Sequence, residues 1–313
     1  MPRLLCCALL LLPLAGCGPD AGPPQDDLSE RPVRVVVTTS MIADLARQIG
    51  GDRVEVEGLM GPGVDPHLYN ASEGDVRRMT DADLIFYNGL DLEGKMADLL
   101  DRMEDRATAV TDQIDRALLD TPPEYEGSFD PHVWMDVSMW KTAAAAVGGR
   151  LAALDSAHAE AYGQRVGAYA AQLDSLDAYV RAEAARVPEG QRVLVTAHDA
   201  FGYFGRAYGF EVRGLQGLST TAEAGTADVQ NLARFVAERQ ILALFVESSV
   251  SERSIRAVRE AVRARGFEVE IGGNLYSDAL GGEGSGADTY VGMIRHNVDT
   301  IVGALAGEPV AGR

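Results

Sequence analysis

The stretch Ser156 to Arg186, SAHAEAYGQRVGAYAAQLDSLDAYVRAEAAR, decides the architecture. Tyr162, Val166, Tyr169, Leu173, Leu176 and Val180 recur at alternating spacings of four and three, one apolar stripe on one helix face. No proline interrupts the run, and Pro188 and Gly190 end it. At 3.6 residues per turn the segment makes about eight turns. A helix of that length between two segments that each alternate strand-type and helix-type patterns predicts a rigid strut joining two α/β lobes.

Working outward towards the N-terminus, Val33 to Val37 is β-branched and reads as a buried strand. Ser40 is expected to cap a helix over Met41 to Ile49 that closes at Gly50-Gly51. Strands follow over Val54 to Met60, Asp83 to Tyr87 and Ala107 to Val110, with helices over Asp75 to Thr80 and Glu93 to Met103. Residues 119–131 are an acidic, proline-bearing loop, and Asp136 is expected to cap a helix through Ala143 to Ala146. Towards the C-terminus the alternation repeats. Strands are expected over Arg192 to Thr196, Val212 to Leu218, Leu242 to Val246 and Phe267 to Ile271. Helices are expected over Ala200 to Tyr208, over Ala227 to Arg239 with Thr226 as cap, over Ser251 to Arg265, and over Asp288 to Leu305. Strands separated by helices pair in parallel through right-handed crossovers. The predicted fold is α/β: two pseudo-symmetric lobes with parallel sheets flanked by helices, one long rigid helix between them, and a cleft between the lobes. The expected units are residues 33–155, 156–187 and 188–313.

At 313 residues the chain is long for one core and comfortable for two. A hydrophobic share of 46% and a charged share of 24% are ordinary for a soluble globular protein. The net charge of −19 argues against nucleic acid as a partner, which requires clustered Lys and Arg. The start of the chain reads as a targeting segment, residues 1–16: Arg3, the apolar run Leu4 to Leu14, then Leu14-Ala15-Gly16-Cys17. Those small residues before a cysteine resemble a bacterial lipobox, which implies cleavage before Cys17 and lipidation of its thiol. Cys6 and Cys7 would leave with the signal, so no disulfide framework is expected. Residues 17–32 form a flexible tether.

Among five histidines, two sit in the same tripeptide, Asp65-Pro66-His67 and Asp130-Pro131-His132. Proline stiffens each loop, and the aspartate is placed to accept the imidazole's other N–H, as metal-bound histidines require. His198 follows the apolar run Val193-Leu194-Val195, and Asp278 follows Val269-Glu270-Ile271 and a glycine pair. Read together, His67, His132, His198 and Asp278 form one metal site in the cleft, at the carboxyl ends of strands where open α/β sheets bind ligands. Three imidazoles and a carboxylate suit zinc; a two-oxygen aspartate would suit manganese. His158 and His296 lie in helical runs with no acidic or histidine partner presented from a loop, and are expected to be ordinary hydrogen-bonded residues. Glu247 ends the most apolar strand, as an acceptor behind a ligand or as a salt-bridged edge residue. The Gly281 to Gly286 run lacks the Lys-Ser/Thr ending of a phosphate loop and reads as a flexible loop.

The segments Gly63-Val64-Asp65-Pro66-His67-Leu68-Tyr69, Tyr87-Asn88-Gly89-Leu90, Asp130-Pro131-His132-Val133-Trp134, His198-Asp199-Ala200-Phe201-Gly202-Tyr203-Phe204 and Val246-Glu247-Ser248-Ser249-Val250 resemble the zinc/manganese-binding receptors of bacterial metal ABC importers, the TroA-like family. The resemblance runs over essentially the whole mature chain, in the family's order. It implies a lipid-anchored extracytoplasmic monomer that captures one divalent ion, Zn2+ or Mn2+, at the positions of His67, His132, His198 and Asp278. Its partners would be the permease and, through it, the ATPase. Residues 111–131 lack the His-rich loop of zinc-dedicated members, and His198 stands where manganese members carry glutamate. Two other classes stay open: a metal-dependent hydrolase with Asp278 as general base, and a metal-stabilised surface adhesin. The hydrolase lacks a His-Glu-x-x-His stretch and an evident nucleophile.

Overall fold

A computed structural model describes residue 28, residues 31–122 and residues 127–306. Cys17, the targeting segment and nearly all of the tether lie outside the described residues, as does part of the acidic loop.

The first half contains β1 (Val33–Val37), α1 (Ser40–Gly50), β2 (Val54–Gly58), α2 (Glu73–Asp81), β3 (Leu84–Tyr87), α3 (Ala97–Asp101) and β4 (Ala107–Ala109). Its four strands pair in parallel in the order β2-β1-β3-β4. Central β1 and β3 are apolar on both faces apart from the exposed Arg34, whereas edge strand β2 carries exposed Glu55 and Glu57. The helix expected over Glu93 to Met103 is shorter and broken: a 3₁₀ turn over Gly94–Met96 precedes α3. Thr39, not Ser40, caps α1, its hydroxyl accepting from Ile42 N at 3.5 Å. Ser40 instead accepts from Leu280 N in the other half. Ser72 caps α2 in a reciprocal box with Asp75.

After a 3₁₀ turn over Val133–Met135 come α4 (Val137–Leu154), capped by Asp136 as expected, and α5 (Ala159–Ala184). The long helix starts later than its sequence pattern because Ser156–His158 is a separate 3₁₀ turn. The second half holds β5 (Val193–His198), α6 (Gly202–Tyr208), β6 (Glu211–Gln216), α7 (Thr226–Arg239), β7 (Ala243–Glu247), α8 (Glu252–Arg263), β8 (Glu270–Leu275) and α9 (Tyr290–Leu305). Gly225 caps α7, one residue before the expected Thr226. β5 pairs in parallel with β6 and β7 with β8, and β5 lies alongside β7. The second half thus holds two two-stranded sheets rather than one of four, but their spatial order β6-β5-β7-β8 follows that of β2-β1-β3-β4, as the alternation predicted. β8 starts later than expected and runs through the glycine pair Gly272-Gly273, with a register shift opposite Leu244 and Phe245. Side chains on those glycines would strike Phe245, Ala304 and Thr300, so the pair is where α9 closes on the sheet.

Helix α5 is more than a strut. Its stripe of Tyr162, Tyr169, Leu173, Leu176 and Val180 is buried in one cluster with α1 and α4 on one side and α6 and α9 on the other. Each such side chain contributes about 1.5–3 kcal/mol. The two halves thus share a core along α5. Smaller clusters sit under β3 and β4 in the first half and between β5, β7, α7 and α8 in the second. Truncating Leu173 to alanine would destabilise both halves together, by roughly 2–5 kcal/mol.

Candidate metal centre

The four residues come from four separate places in the fold. His67 sits in the loop after β2, where Asp65 Oδ1 accepts from His67 N at 2.9 Å, an aspartate-nucleated turn made rigid by Pro66. Asp130 makes the same turn with His132 N at 2.9 Å and also lies 2.7 Å from His132 Nδ1. His132 leads into the 3₁₀ turn before α4. His198 is the last residue of β5, within the strand and paired opposite Gln216, rather than beyond it as its sequence pattern suggested. Asp278 lies in the loop after β8.

Backbone chemistry fixes this convergence. Gly214 lets β6 approach the end of β5 so closely that a Cβ there would stand 2.5 Å from Asp199 N. Asn88 Nδ2 donates to Pro131 O at 3.0 Å, and Tyr203 Oη donates to Asp130 O at 2.9 Å, clamping the second Asp-Pro-His stretch from two sides. Trp134 Nε1 donates to Ser277 O at 2.7 Å, tying that stretch to the Asp278 loop, and Tyr290 Oη donates to Trp134 O at 2.7 Å.

All four residues are buried, and one donor atom from each falls within 4.8 Å of every other. The three ring centroids are 5.3–6.0 Å apart. Asp278 Oδ1 lies 3.6 Å from His132 Nε2, and Oδ2 lies 3.2 Å from His198 Nε2. Donors about 2.1 Å from a tetrahedral ion stand about 3.4 Å apart, so these separations match a shared ion. Nε2 of all three histidines and Oδ1 of Asp278 are buried without a hydrogen-bond partner. Buried polar atoms left unpaired are costly, and four of them aimed at one point have the arrangement of a cation site. The group could hold one metal ion.

Charges around the group are divided. Burial pushes His67 down to about 3, so it is neutral. Burial also opposes charge on His198, but the Asp278 and Glu247 carboxylates outweigh it and hold His198 well above the usual imidazole range. Burial works against ionising Asp278 too; His198, followed by His132 and His67, overcomes it and keeps the carboxylate charged. Glu247 resolves into the acceptor role: Oε1 accepts from His198 N at 2.9 Å and Oε2 sits 2.6 Å from His198 Nδ1.

A cleft of about 510 Å³ reaches His67, lined also by Asp91, Phe129, Gly217, Thr221 and Glu223. His158 and His296 stand apart from the group. His158 does have an acidic partner, contrary to expectation: its Nδ1 is 2.9 Å from Asp155 Oδ1. His296 Nε2 meets Asn274 O at 3.0 Å. The Gly281 to Gly286 run forms a closed turn, with Gly281 N donating to Ala287 O. Sequence reasoning missed Thr220 and Ser249. Thr220 Oγ1 donates to Asp65 Oδ2 at 2.5 Å, and Ser249 Oγ donates to Asp278 Oδ2 at 3.3 Å. Nothing local to Thr220 signals that role; Ser249 lies in the Val246 to Val250 segment, just past the most apolar strand.

Comparison with known proteins identifies the family. The profile of the family described as zinc-uptake complex component A, periplasmic (ZnuA), matches residues 35–304. The zinc-binding protein TroA of Treponema pallidum is 48% identical over 304 residues, covering 97% of this chain and 98% of the relative. The manganese-binding lipoprotein MntA of Bacillus subtilis is also 48% identical, over 295 residues, covering 93% and 95%. The solved structure of periplasmic zinc-binding TroA from Treponema pallidum superposes with a TM-score of 0.85 at 50% identity, covering 88% of this chain and 99% of that one. With a family match over nearly the whole described chain and the same fold in a relative this similar, the chain belongs to the ZnuA family of periplasmic metal-uptake components.

Proposed function

We propose that the chain is an extracytoplasmic receptor that captures one divalent transition-metal ion, zinc or manganese, and delivers it to an ABC permease for import. The observation that carries this reading is the set of four unpaired, buried donor atoms on His67, His132, His198 and Asp278. In it these residues are the ligands, Glu247 and Asp130 orient His198 and His132, and the ion enters through the cleft at His67. Relatives named for zinc and for manganese match at the same 48% identity, so both metals stand as substrates. Relatives named as substrate-binding lipoproteins of manganese ABC transporters support a permease and its ATPase as partners. The chain works outside the cytoplasm as a monomer, held to a membrane by a lipid on Cys17, with residues 33–155 and 188–313 as lobes about the linking segment 156–187. Among the described residues no helix is long and apolar enough to cross a membrane. The protein is not an enzyme: its family is one of uptake components, and Asp278 fills the position an attacking water would need.

Three imidazoles outnumber one carboxylate, so the purified protein binds zinc more tightly than manganese. Elemental analysis of the protein as isolated, followed by zinc/manganese competition on the stripped protein, tests this. One ion per chain and a zinc preference are expected, with His198→Glu moving the ratio towards manganese. No bound metal, or a ratio indifferent to His198→Glu, overturns the ligand assignment. Mass spectrometry of the N-terminal peptide tests the anchor: a lipidated Cys17 is expected, and an unmodified one contradicts it.

A further inference from the structure

We propose that Ser249 is a specificity-determining positioning residue that holds the Asp278 carboxylate with both oxygens turned towards the imidazoles, so that the ion is gripped by two oxygens rather than one. The inference rests on the metal-receptor reading above.

The Asp278 side chain is fully buried, and its two oxygens face different rings: Oδ1 towards His132 Nε2 at 3.6 Å and Oδ2 towards His198 Nε2 at 3.2 Å. A carboxylate's terminal torsion is soft, so this orientation needs an external hold. Ser249 supplies it through the 3.3 Å contact from its Oγ to Oδ2. The direction of that bond follows from proton counting. An ionised carboxylate only accepts, and a serine hydroxyl has one O–H, so Ser249 donates its hydrogen bond to Asp278. Ser277 Oγ, 2.9 Å from Ser249 Oγ, must then donate to Ser249. Ser277 is fully buried, and its carbonyl accepts from Trp134 Nε1. The result is one ordered chain, Ser277 to Ser249 to Asp278, anchored against the second Asp-Pro-His stretch.

Oδ2 has two lone pairs, so the serine bond leaves one free for an ion. Oδ1 has no hydrogen-bond partner among the described residues. Both oxygens are therefore available on the imidazole side, giving three nitrogens and two oxygens. The extra oxygen matters unequally. Zinc is content with four ligands, whereas manganese favours oxygen donors and a larger shell. Ser249 lies just beyond the end of β7, where Glu247 holds His198, so one strand end sets both the imidazole and the carboxylate.

The test uses the purified, metal-stripped protein with Ser249→Ala and Ser249→Thr, titrated with zinc and manganese in competition. The visible spectrum of bound cobalt(II) reports coordination number. In Ser249→Ala, manganese affinity is expected to fall roughly tenfold, the lower end of what losing an outer hydrogen-bond partner costs, and zinc affinity by clearly less. The cobalt bands should gain intensity as the shell drops towards four-coordinate, and Ser249→Thr, which keeps the hydroxyl, should restore both readouts. Equal losses for the two metals, or an unchanged cobalt spectrum in Ser249→Ala, overturn the proposal. A wild type that binds none of these ions overturns instead the metal-receptor reading on which it rests.

Discussion

The two Asp-Pro-His stretches have the same three residues and different wiring. In the second, Asp130 serves its own histidine twice, at the backbone N–H and at Nδ1, and is itself buried, with Tyr203 Oη on its carbonyl and Gly202 against its carboxylate. In the first, Asp65 serves the backbone N–H of His67, but its other oxygen reaches across to Thr220 in the second half of the chain. His132 is sealed and fixed from behind. His67 borders the cleft, beside Leu68, which is 44% exposed. One tripeptide thus builds a fixed wall of the site and, on the other side, a loop that the Thr220–Asp65 bond ties to the second half of the chain. The difference comes from what the rest of the chain packs against each loop, because the local turn chemistry is the same.

The comparison breaks most visibly if the two histidines are unequal as ligands. His67→Ala and His132→Ala should each remove more zinc affinity than the roughly 10–100-fold that loss of an outer partner costs. Competition titration checks this, and retention of wild-type affinity in either variant would remove that residue from the shell. The aspartates should then separate the two stretches. Asp130→Ala strips His132 of its acceptor and should cost affinity within that 10–100-fold range, whereas Asp65→Ala should cost clearly less at equilibrium. Equal losses would mean that the wiring difference has no consequence. Thr220→Val keeps the shape and removes only the Asp65–Thr220 bond. With one hydrogen bond at about 1 kcal/mol, metal release measured by stopped flow with a chelator should accelerate roughly fivefold. An unchanged rate would show that the first loop is held by packing alone.

The smallest effect is in protons. Metal binding requires neutral imidazoles. In the metal-free protein, Asp278 and Glu247 keep His198 protonated above its ordinary range, while His67 is already neutral. The ion must displace the His198 proton into solvent, so binding at neutral pH should release about one proton per chain and weaken as pH falls. Calorimetry in buffers of different ionisation enthalpy measures this, and zero release would contradict the charge division between the two histidines.

How much of this was legible in the sequence follows the range of the interactions. The period of Tyr162, Tyr169, Leu173, Leu176 and Val180 gave the long helix, because burial of one face leaves a 3.6-residue signature. What that helix packs against did not show, since a stripe does not name its neighbours; the core shared along α5 appears only in three dimensions. The four site residues stood out because Asp-Pro-His is rare and repeated, and because His198 and Asp278 follow apolar runs. The ends of β5 and β8 were misjudged for opposite reasons. His198 is polar and ends the apolar run that marks the strand, although it pairs with Gln216. Gly272-Gly273 resembles a turn, yet tertiary contact with α9 keeps that backbone in the sheet. Helix caps shifted by one residue for a similar reason: Ser40 was free to serve Leu280 once Thr39 had taken the cap. Thr220 and Ser249 act through partners far away in the chain, and no local pattern marks them.

The account's central claim is that one ion is held by three imidazoles and the Asp278 carboxylate. X-ray absorption at the zinc edge on loaded wild type and loaded His132→Ala tests it most directly. The predicted result is a shell of nitrogen and oxygen with scattering from three imidazoles, falling to two in the variant. A wild-type shell without imidazole scattering, or one that His132→Ala leaves unchanged, would contradict it.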